Sequence, residues 1–406
     1  METKKKILVF VPEFPVLSET FIQREIVKLS TRGVYEVIVL SLKKGNGTLD
    51  EALDDKVLYK RINPLDLVLG LLHLLTRPDL FSRLLDILAK GEQNRPLKWK
   101  LITIAKAFAY ATVVKKQKPD FIFAHFLSYP TTLMMLVSEI TEIPYGISAH
   151  AKDITVYPQY IKQKTKTAKF ILICNQSALN FALSKLDTRP TNIHLKYHGL
   201  DFAKIESLTE KPDEEFTKPL ILNIGRLTEK KGHKYLIEAS KILKDEGVEH
   251  EIRIIGAGPL HAELQGQIDS LGLAGTIKIL GGKNGMPFMQ TVKYFNVASL
   301  FAYPGIKTPE GDEDGLPNVL PEASVFSIPI VATDAGSITD LIIDGETGYI
   351  VEQKDSKGLA ISIKNALENL EAAKKLAQNA NIKAREIFDL ESNVKEIEDF
   401  VASSIN

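Results

Sequence analysis

The stretch Leu220-Ile221-Leu222-Asn223-Ile224-Gly225-Arg226-Leu227-Thr228-Glu229-Lys230-Lys231-Gly232 decides the fold. Its first five residues suit a short buried strand rather than a helix. Gly225 ends the apolar run, a charged loop follows, and a helical pattern starts near His233. The unit therefore reads strand, loop, helix. Ile252–Ile255, Ile277–Leu280, Leu300–Tyr303 and Ile328–Ala332 repeat the strand character, with helical segments between them. The N-terminal half shows the same alternation, with strands predicted at Ile7–Val11, Val37–Leu42, Phe121–His125, Tyr145–Ser148 and Phe170–Cys174. Thr20–Arg32 has apolar residues at 21, 22, 26, 27 and 29, a helical period, and Gly33 suits its C-terminal cap. Residues 64–117 read as two or three helices, with Pro64, Pro78 and Pro96 at or near their starts. Strands separated by helices imply parallel, doubly wound sheets, here in two successive α/β domains, 1–200 and 201–387. Gly199–Lys218, which includes the polar stretch Thr209–Thr217, is the expected linker, and Glu391–Ile405 reads as a final helix.

Composition narrows the class. With 406 residues, 44% hydrophobic and 25% charged, the chain is neither disordered nor fibrous. The longest apolar stretch, Leu65–Leu75, is interrupted by Asp66, Gly70 and His73 and is too short to span a bilayer. Lys4-Lys5-Lys6 and Ile7–Val11 lack the cleavage site of a signal peptide, so a cytoplasmic protein is expected. A single cysteine, Cys174, excludes an internal disulfide and any cysteine-based metal site; it reads as a small buried residue. The net charge of zero hides an asymmetry: residues 1–199 carry 29 Lys/Arg against 18 Asp/Glu, and the remainder carries the opposite excess. Either the domains have complementary faces or the first meets something anionic.

Several familiar chemistries are missing. The first strand runs into Pro12-Glu13-Phe14-Pro15-Val16-Leu17-Ser18, not a dinucleotide-binding G-x-G-x-x-G. Gly256-Ala257-Gly258-Pro259 begins that pattern without its third glycine. There is no P-loop, no G-x-S-x-G elbow and no H-E-x-x-H. What remains is a two-domain α/β protein whose default ligand site lies at strand ends.

Two loops carry candidate chemistry. Arg226 and Lys231 sit at the carboxyl end of a strand, where a guanidinium fork and a compact ammonium can clamp a diphosphate; ordinary surface charge is the alternative. Glu310-Gly311-Asp312-Glu313-Asp314-Gly315-Leu316-Pro317-Asn318-Val319-Leu320-Pro321-Glu322 follows another strand. Its acidic run lacks the alternation of an EF-hand. Gly315-Leu316-Pro317 opens a helix whose free backbone N–H groups suit an anion or a sugar. Pro321 costs an internal hydrogen bond if Pro317 is the first helical residue, and less if the helix begins one or two residues later.

These motifs together resemble a family 4 retaining glycosyltransferase of the GT-B fold. Asp314 and Glu322 have the spacing of that family's Glu-x7-Glu motif, and Pro329-Ile330-Val331-Ala332-Thr333 follows as its strand does. Gly225-Arg226-Leu227 with Lys231-Gly232, Gly256-Ala257-Gly258-Pro259 and Asp344-Gly345-Glu346-Thr347-Gly348 match further family segments. Ser18-Glu19-Thr20-Phe21-Ile22, Ala124-His125-Phe126 and Ser148-Ala149-His150-Ala151-Lys152-Asp153 are similar to the exopolysaccharide-synthesis branch. The resemblance covers essentially the whole chain. Three departures stand out: Asp314 where Glu is usual, Pro15-Val16-Leu17-Ser18 in place of an N-terminal Gly-Gly loop, and Thr339-Asp340 where Pro-Glu is usual.

The resemblance implies two Rossmann-like domains with parallel sheets facing across a cleft, the first completed by a helix from about 388–406. It implies a retaining transfer of a hexose from a nucleotide-diphosphate sugar to a glycan or lipid-linked acceptor, in bacterial surface polysaccharide synthesis. Arg226 and Lys231 would neutralise the donor diphosphate, replacing a metal, so no cofactor is expected. Glu322 would bind the ribose; Asp314 and the Gly315, Leu316, Pro317 and Asn318 backbone would hold the sugar and phosphate; Gly225, Gly256 and Gly258 would line the donor site. His150 would lie near the sugar, with Ser18, Glu19, Thr20 and His125 on the acceptor side. His198 reads as a structural residue by the linker. A nucleotide-sugar 2-epimerase of the same fold and a non-catalytic nucleotide-sugar-binding partner are the alternatives; no nucleic acid is expected as a partner.

One segment points to a surface. Residues 90–118 hold eight basic residues and one acidic one, Glu92, around Trp99, the only tryptophan. Basic residues beside an aromatic suit an anionic membrane surface, on the inner face of the cell membrane. A solvated helix packed on the domain is the equal alternative.

Overall fold

The computed structural model describes residues 4–17, 19–91, 95–156 and 158–405, apart from the side chains of residues 71, 73–75, 151 and 152. The chain forms two compact units. The first holds residues up to Gly199 and those from Leu390 onward; the second is Leu200–Asp389. The first unit contains β1 (Lys6–Phe14), β2 (Glu36–Lys44), β3 (Val57–Tyr59), β4 (Phe121–His125), β5 (Tyr145–Ala149), β6 (Ile171–Ile173) and β7 (Ile193–Leu195). The second contains β8 (Leu220–Ile224), β9 (Glu251–Ile255), β10 (Ile277–Leu280), β11 (Leu300–Tyr303), β12 (Ile330–Thr333) and β13 (Tyr349–Val351). Every pairing is parallel. The sheet orders are β3-β2-β1-β4-β5-β6-β7 and β10-β9-β8-β11-β12-β13. Both reverse direction in the same way, at β1/β4 and at β8/β11, which places a crevice at the carboxyl ends of those strands.

Burial explains the strand sequences. Central strands of a parallel sheet are covered on both faces, so they read as unbroken apolar runs. Ile7–Val11 and Phe121–Ala124 are all essentially inaccessible. One face of the first sheet packs on Leu84, Ile104, Leu133 and Leu136, and the other on Ile22, Ile26, Leu29, Val394, Ile397 and Val401. The helix Leu390–Ile405 thus supplies part of the first unit's core. Arg32 reaches across to Glu391 and Glu398 of that helix, and Lys196 to Asn393 and Glu396.

The three strands absent from the sequence reading, β3, β7 and β13, are edge strands of three residues. The predicted linker is shorter than expected. Phe202–Glu206 is helical, and Phe202 and Ile205 are buried within the second unit. The chain passes between units at residues 199/200 and returns at 389/390.

Candidate active site

In the second unit, β8 and β11 are hydrogen-bonded neighbours at the reversal of strand order. The loop 225–232 leaves one and the loop 304–318 leaves the other. Lys231 Nζ donates to the Tyr303 hydroxyl at 3.0 Å and lies 2.7 Å from Asp314 Oδ2. The Tyr303 hydroxyl donates in turn to that carboxylate oxygen. Lys230 Nζ is 3.3 Å from Asp314 Oδ1 and 3.1 Å from Asp312. Burial alone would raise the Asp314 carboxyl, but the Lys231 and Lys230 charges overcome it and hold it well below the usual range. Burial and then the Asp314 charge push the Tyr303 phenol far up. Arg226 is exposed, and its charge reaches Tyr303. Arg226, Lys231 and Asp314 are therefore brought to one place, together with Lys230 and Tyr303, which the sequence reading did not single out. An ammonium has three N–H donors, and Tyr303 and Asp314 engage two of those on Lys231, which leaves one for an incoming phosphate oxygen.

The glycines around this site do more than line it. A Cβ on Gly256 would lie 1.9 Å from the Gly225 carbonyl oxygen, and one on Gly258 2.4 Å from that of Leu227. Both are bare because the loop after β9 packs directly on the loop after β8. Gly225 itself faces the Lys231 side chain. His233 is buried, with Nδ1 2.9 Å from Asn223 Oδ1 and Nε2 3.0 Å from the Arg226 carbonyl oxygen, so it fixes the loop that carries Arg226. Burial lowers its pKa to about 4. Beyond Asp314, the Gly315 carbonyl accepts from the Ser337 N–H at 2.7 Å. Leu316 and Asn318 are half-buried and Pro317 is buried. The helix begins at Val319, two residues after Pro317, so Pro321 falls in its first turn, where no N–H is missed. Glu322 is half-buried within it.

The first unit gathers a second cluster from neighbouring strand ends. His125 ends β4, His150 follows β5, Cys174 follows β6 and His198 follows β7. His125 Nδ1 is 3.3 Å from His150 Nε2, and His150 Nδ1 is 3.3 Å from His198 Nε2. Phe21 stacks on the His198 ring at 4.0 Å and meets His150 edge-on. Burial holds His150 well below its ordinary pKa and lowers His125 and His198 to about 3. The backbone around them is fixed by two buried ionisable side chains. Asp153 accepts from the N–H of His150 at 2.9 Å and from that of Leu127, while Lys164, fully buried, donates to the carbonyls of Leu127 and Ser128 at 2.6 and 2.8 Å. Burial pushes the Asp153 carboxyl up to about 7, against the pull of those N–H groups and of Lys164.

His125, His150 and His198 thus form one cluster, with His198 also directly before the crossing between units. Cys174 is half-buried and accepts a hydrogen bond from Asn175 Nδ2. Glu19 is half-buried and Thr20 exposed, at the start of the helix that carries Phe21. Ser18 lies outside the described residues. His198 and Cys174 gave no signal in the sequence, because only the strand order places them beside His150.

Comparison with known proteins agrees with this geometry. Residues 204–383 match the family described as glycosyl transferases group 1. A Salmonella typhimurium glycosyltransferase assigned to colanic acid biosynthesis is 27% identical, over 93% of this chain and 97% of its own. The amylovoran biosynthesis glycosyltransferase AmsK of Erwinia amylovora is 26% identical, over 87% and 89%. Among solved structures, a glycosyltransferase from Rickettsia africae superposes with a TM-score of 0.73 at 19% identity, covering 98% of each chain. Anabaena HepE, solved with UDP and glucose, gives 0.69 at 18%, covering 98% of this chain and 100% of its own. These structures share the fold, GT-B. With both Rossmann-like units, the Arg226/Lys231/Asp314 constellation and a group 1 domain at 204–383, the chain is a glycosyltransferase.

Proposed function

We propose that the chain is a retaining, metal-independent transferase that moves a hexose from a nucleotide-diphosphate sugar to a glycan or lipid-linked acceptor in bacterial surface polysaccharide synthesis. The observation that carries this reading is the cationic loop at the carboxyl end of β8, with Lys231 poised between Tyr303 and Asp314 and Arg226 exposed beside it. Charge that develops on a departing diphosphate meets two fixed cations there. The colanic acid and amylovoran relatives support the polysaccharide assignment, and the UDP bound in HepE supports a nucleotide-diphosphate donor. The acceptor hydroxyl attacks the anomeric carbon from the face the diphosphate leaves, and a diphosphate oxygen takes its proton. Glu322 binds the ribose, and His150 serves the transferred sugar.

The test is a panel of nucleotide-diphosphate sugars scored by protection against thermal unfolding. Transfer from the protecting donor is then followed by NMR of the anomeric proton with chelator present. Inverted configuration, or activity that dies with chelator and returns with magnesium or manganese, defeats the proposal.

A lipid-linked acceptor also implies work at a membrane, on the cytoplasmic face. No helix among the described residues is long and apolar enough to cross one. Residues 90–118 are a poorer contact than the sequence suggested, because Trp99 is committed to Tyr160 and Tyr129 and is covered by Arg95. The neighbouring helix Pro64–Thr76 instead exposes Leu65, Val68, Leu69 and Leu72, each at least half accessible and all on one stripe. Lys116 and Lys60, the latter paired with Asp66 at 3.0 Å, line a groove with Leu69 beside it. We assign reversible attachment to an anionic bilayer to this stripe and its basic border.

A further inference from the structure

The four adjacent strand ends β4 to β7 bring together more than a transfer site needs. One ring nitrogen each of His150 and His198 and the Cys174 sulfur lie within 4.8 Å of one another. His150 Nδ1 and His198 Nε2 are 3.3 Å apart, which is long for a hydrogen bond. It is close to the edge of a tetrahedron with metal–nitrogen bonds of about 2.0–2.1 Å, roughly 3.3 Å. We infer that His150, His198 and Cys174 form a binding site for a single borderline-soft divalent cation, with zinc the ion that two imidazoles and a thiolate select.

The surroundings are those of a ligand set. A metal-bound imidazole ordinarily gives its other N–H to an oriented acceptor, which fixes its tautomer. His150 Nε2 faces His125 Nδ1 at 3.3 Å. His125 Nε2 and Glu25 Oε1, both buried and neither hydrogen-bonded, face each other at 3.7 Å. That alignment sets a second imidazole and, beyond it, a carboxyl group behind the ligating nitrogen. At the other ligand, Asn175 Nδ2 donates to Cys174 Sγ at 3.2 Å, which favours the thiolate. Cys174 and His198 are half-buried, so an ion can enter from solvent. One cysteine suffices in this mixed set, contrary to the expectation that a single cysteine excludes a cysteine-based metal site.

Binding balances simply. The proton between His150 Nδ1 and His198 Nε2 moves to Nδ1 of His198, and the Cys174 thiol loses its proton to solvent, so one proton is released per ion. Three protein ligands leave a fourth position to water. The consequence for catalysis rests on the proposed role of His150: an ion on Nδ1 occupies that nitrogen and lowers transfer, while the proposed reaction itself uses no metal.

Cobalt(II) is the probe, because a thiolate gives a sulfur-to-cobalt charge-transfer band that imidazole and carboxylate sites lack. One equivalent should bind the purified full chain and show that band. Cys174→Ser should abolish the band, and His198→Gln should weaken binding at least tenfold, with thermal unfolding confirming that both variants fold. Binding without the band, or equal affinity in the wild type and both variants, marks an adventitious surface ion only and overturns the site. Zinc competing for the cobalt should inhibit transfer. If zinc displaces the cobalt and transfer continues, the metal site stands and the role given to His150 falls.

Discussion

Asp314 already has Lys231, Lys230 and Tyr303 as partners. Its first job is to hold two lysines in place, and the sugar must share it. Arg226→Ala and Lys231→Ala should each lower turnover by roughly 10²–10³, the loss seen when a preorganised charge-stabilising donor is removed. Asp314→Asn should damage kcat far more than nucleotide affinity, and Glu322→Gln should do the reverse. Steady-state kinetics beside calorimetric titration with the nucleoside diphosphate separates the two, and small equal effects would show that the pair is misaligned. Asp314→Glu restores the usual length and should retain activity. Arg226 and Lys231 were legible because their loop is contiguous in sequence. Tyr303 was not, since it lies 72 residues from Lys231 and meets it only through the β8/β11 pairing. Similarly, 48 residues separate His150 from His198.

At the scale of elements, the loops after β4 and β5 are held by one buried cation. Lys164→Met keeps the aliphatic volume but deprives Asp153 of its nearby charge and two carbonyls of their donor. The expected loss is about 3 kcal/mol, the size of breaking a buried ionic contact, measured as a lower urea midpoint. On the surface, the full chain should sediment with anionic but not zwitterionic vesicles, and salt should release it. Replacing Leu65, Val68 and Leu72 with Ser should abolish sedimentation; binding that survives this change moves the contact elsewhere. The apolar run was visible in the sequence, yet which of its residues face outward depends on packing. Gly70 lets the helix lie against the Ala105 carbonyl, and that contact turns the stripe to solvent. The long central strands were equally visible, whereas three-residue edge strands carry too few side chains to declare a period.

Across the whole molecule, protonation and connectivity act on each unit differently. In the first, His125, His150 and His198 are buried neutral, so unfolding below about pH 6.5 takes up protons and their contribution fades as pH falls. Glu25 and Asp153, both raised to about 7 mainly by burial, oppose this: their contribution is full below about pH 4 and fades as pH rises through 7. His194, lowered by burial, and Glu19, raised by it, add one group to each side, so the histidines outnumber the carboxyls and stability should climb between pH 5 and 6. Glu25→Gln removes one opponent and should steepen that slope in urea titrations; an unchanged slope would mean that Glu25 stays ionised. Connectivity makes a different demand. Residues 200–389 are continuous and should fold alone, whereas 1–199 without 390–405 would expose Ile22, Ile26 and Leu29, which Val394, Ile397 and Val401 cover. Proteolysis of the two fragments checks this directly. On the ribosome the order of synthesis then runs against the order of completion. The half made first must wait, with an apolar strip uncovered, while nearly 200 residues of the second unit are added. It is therefore the older half of the nascent chain that needs a chaperone's cover, and a stall late in translation is the moment at which aggregation begins.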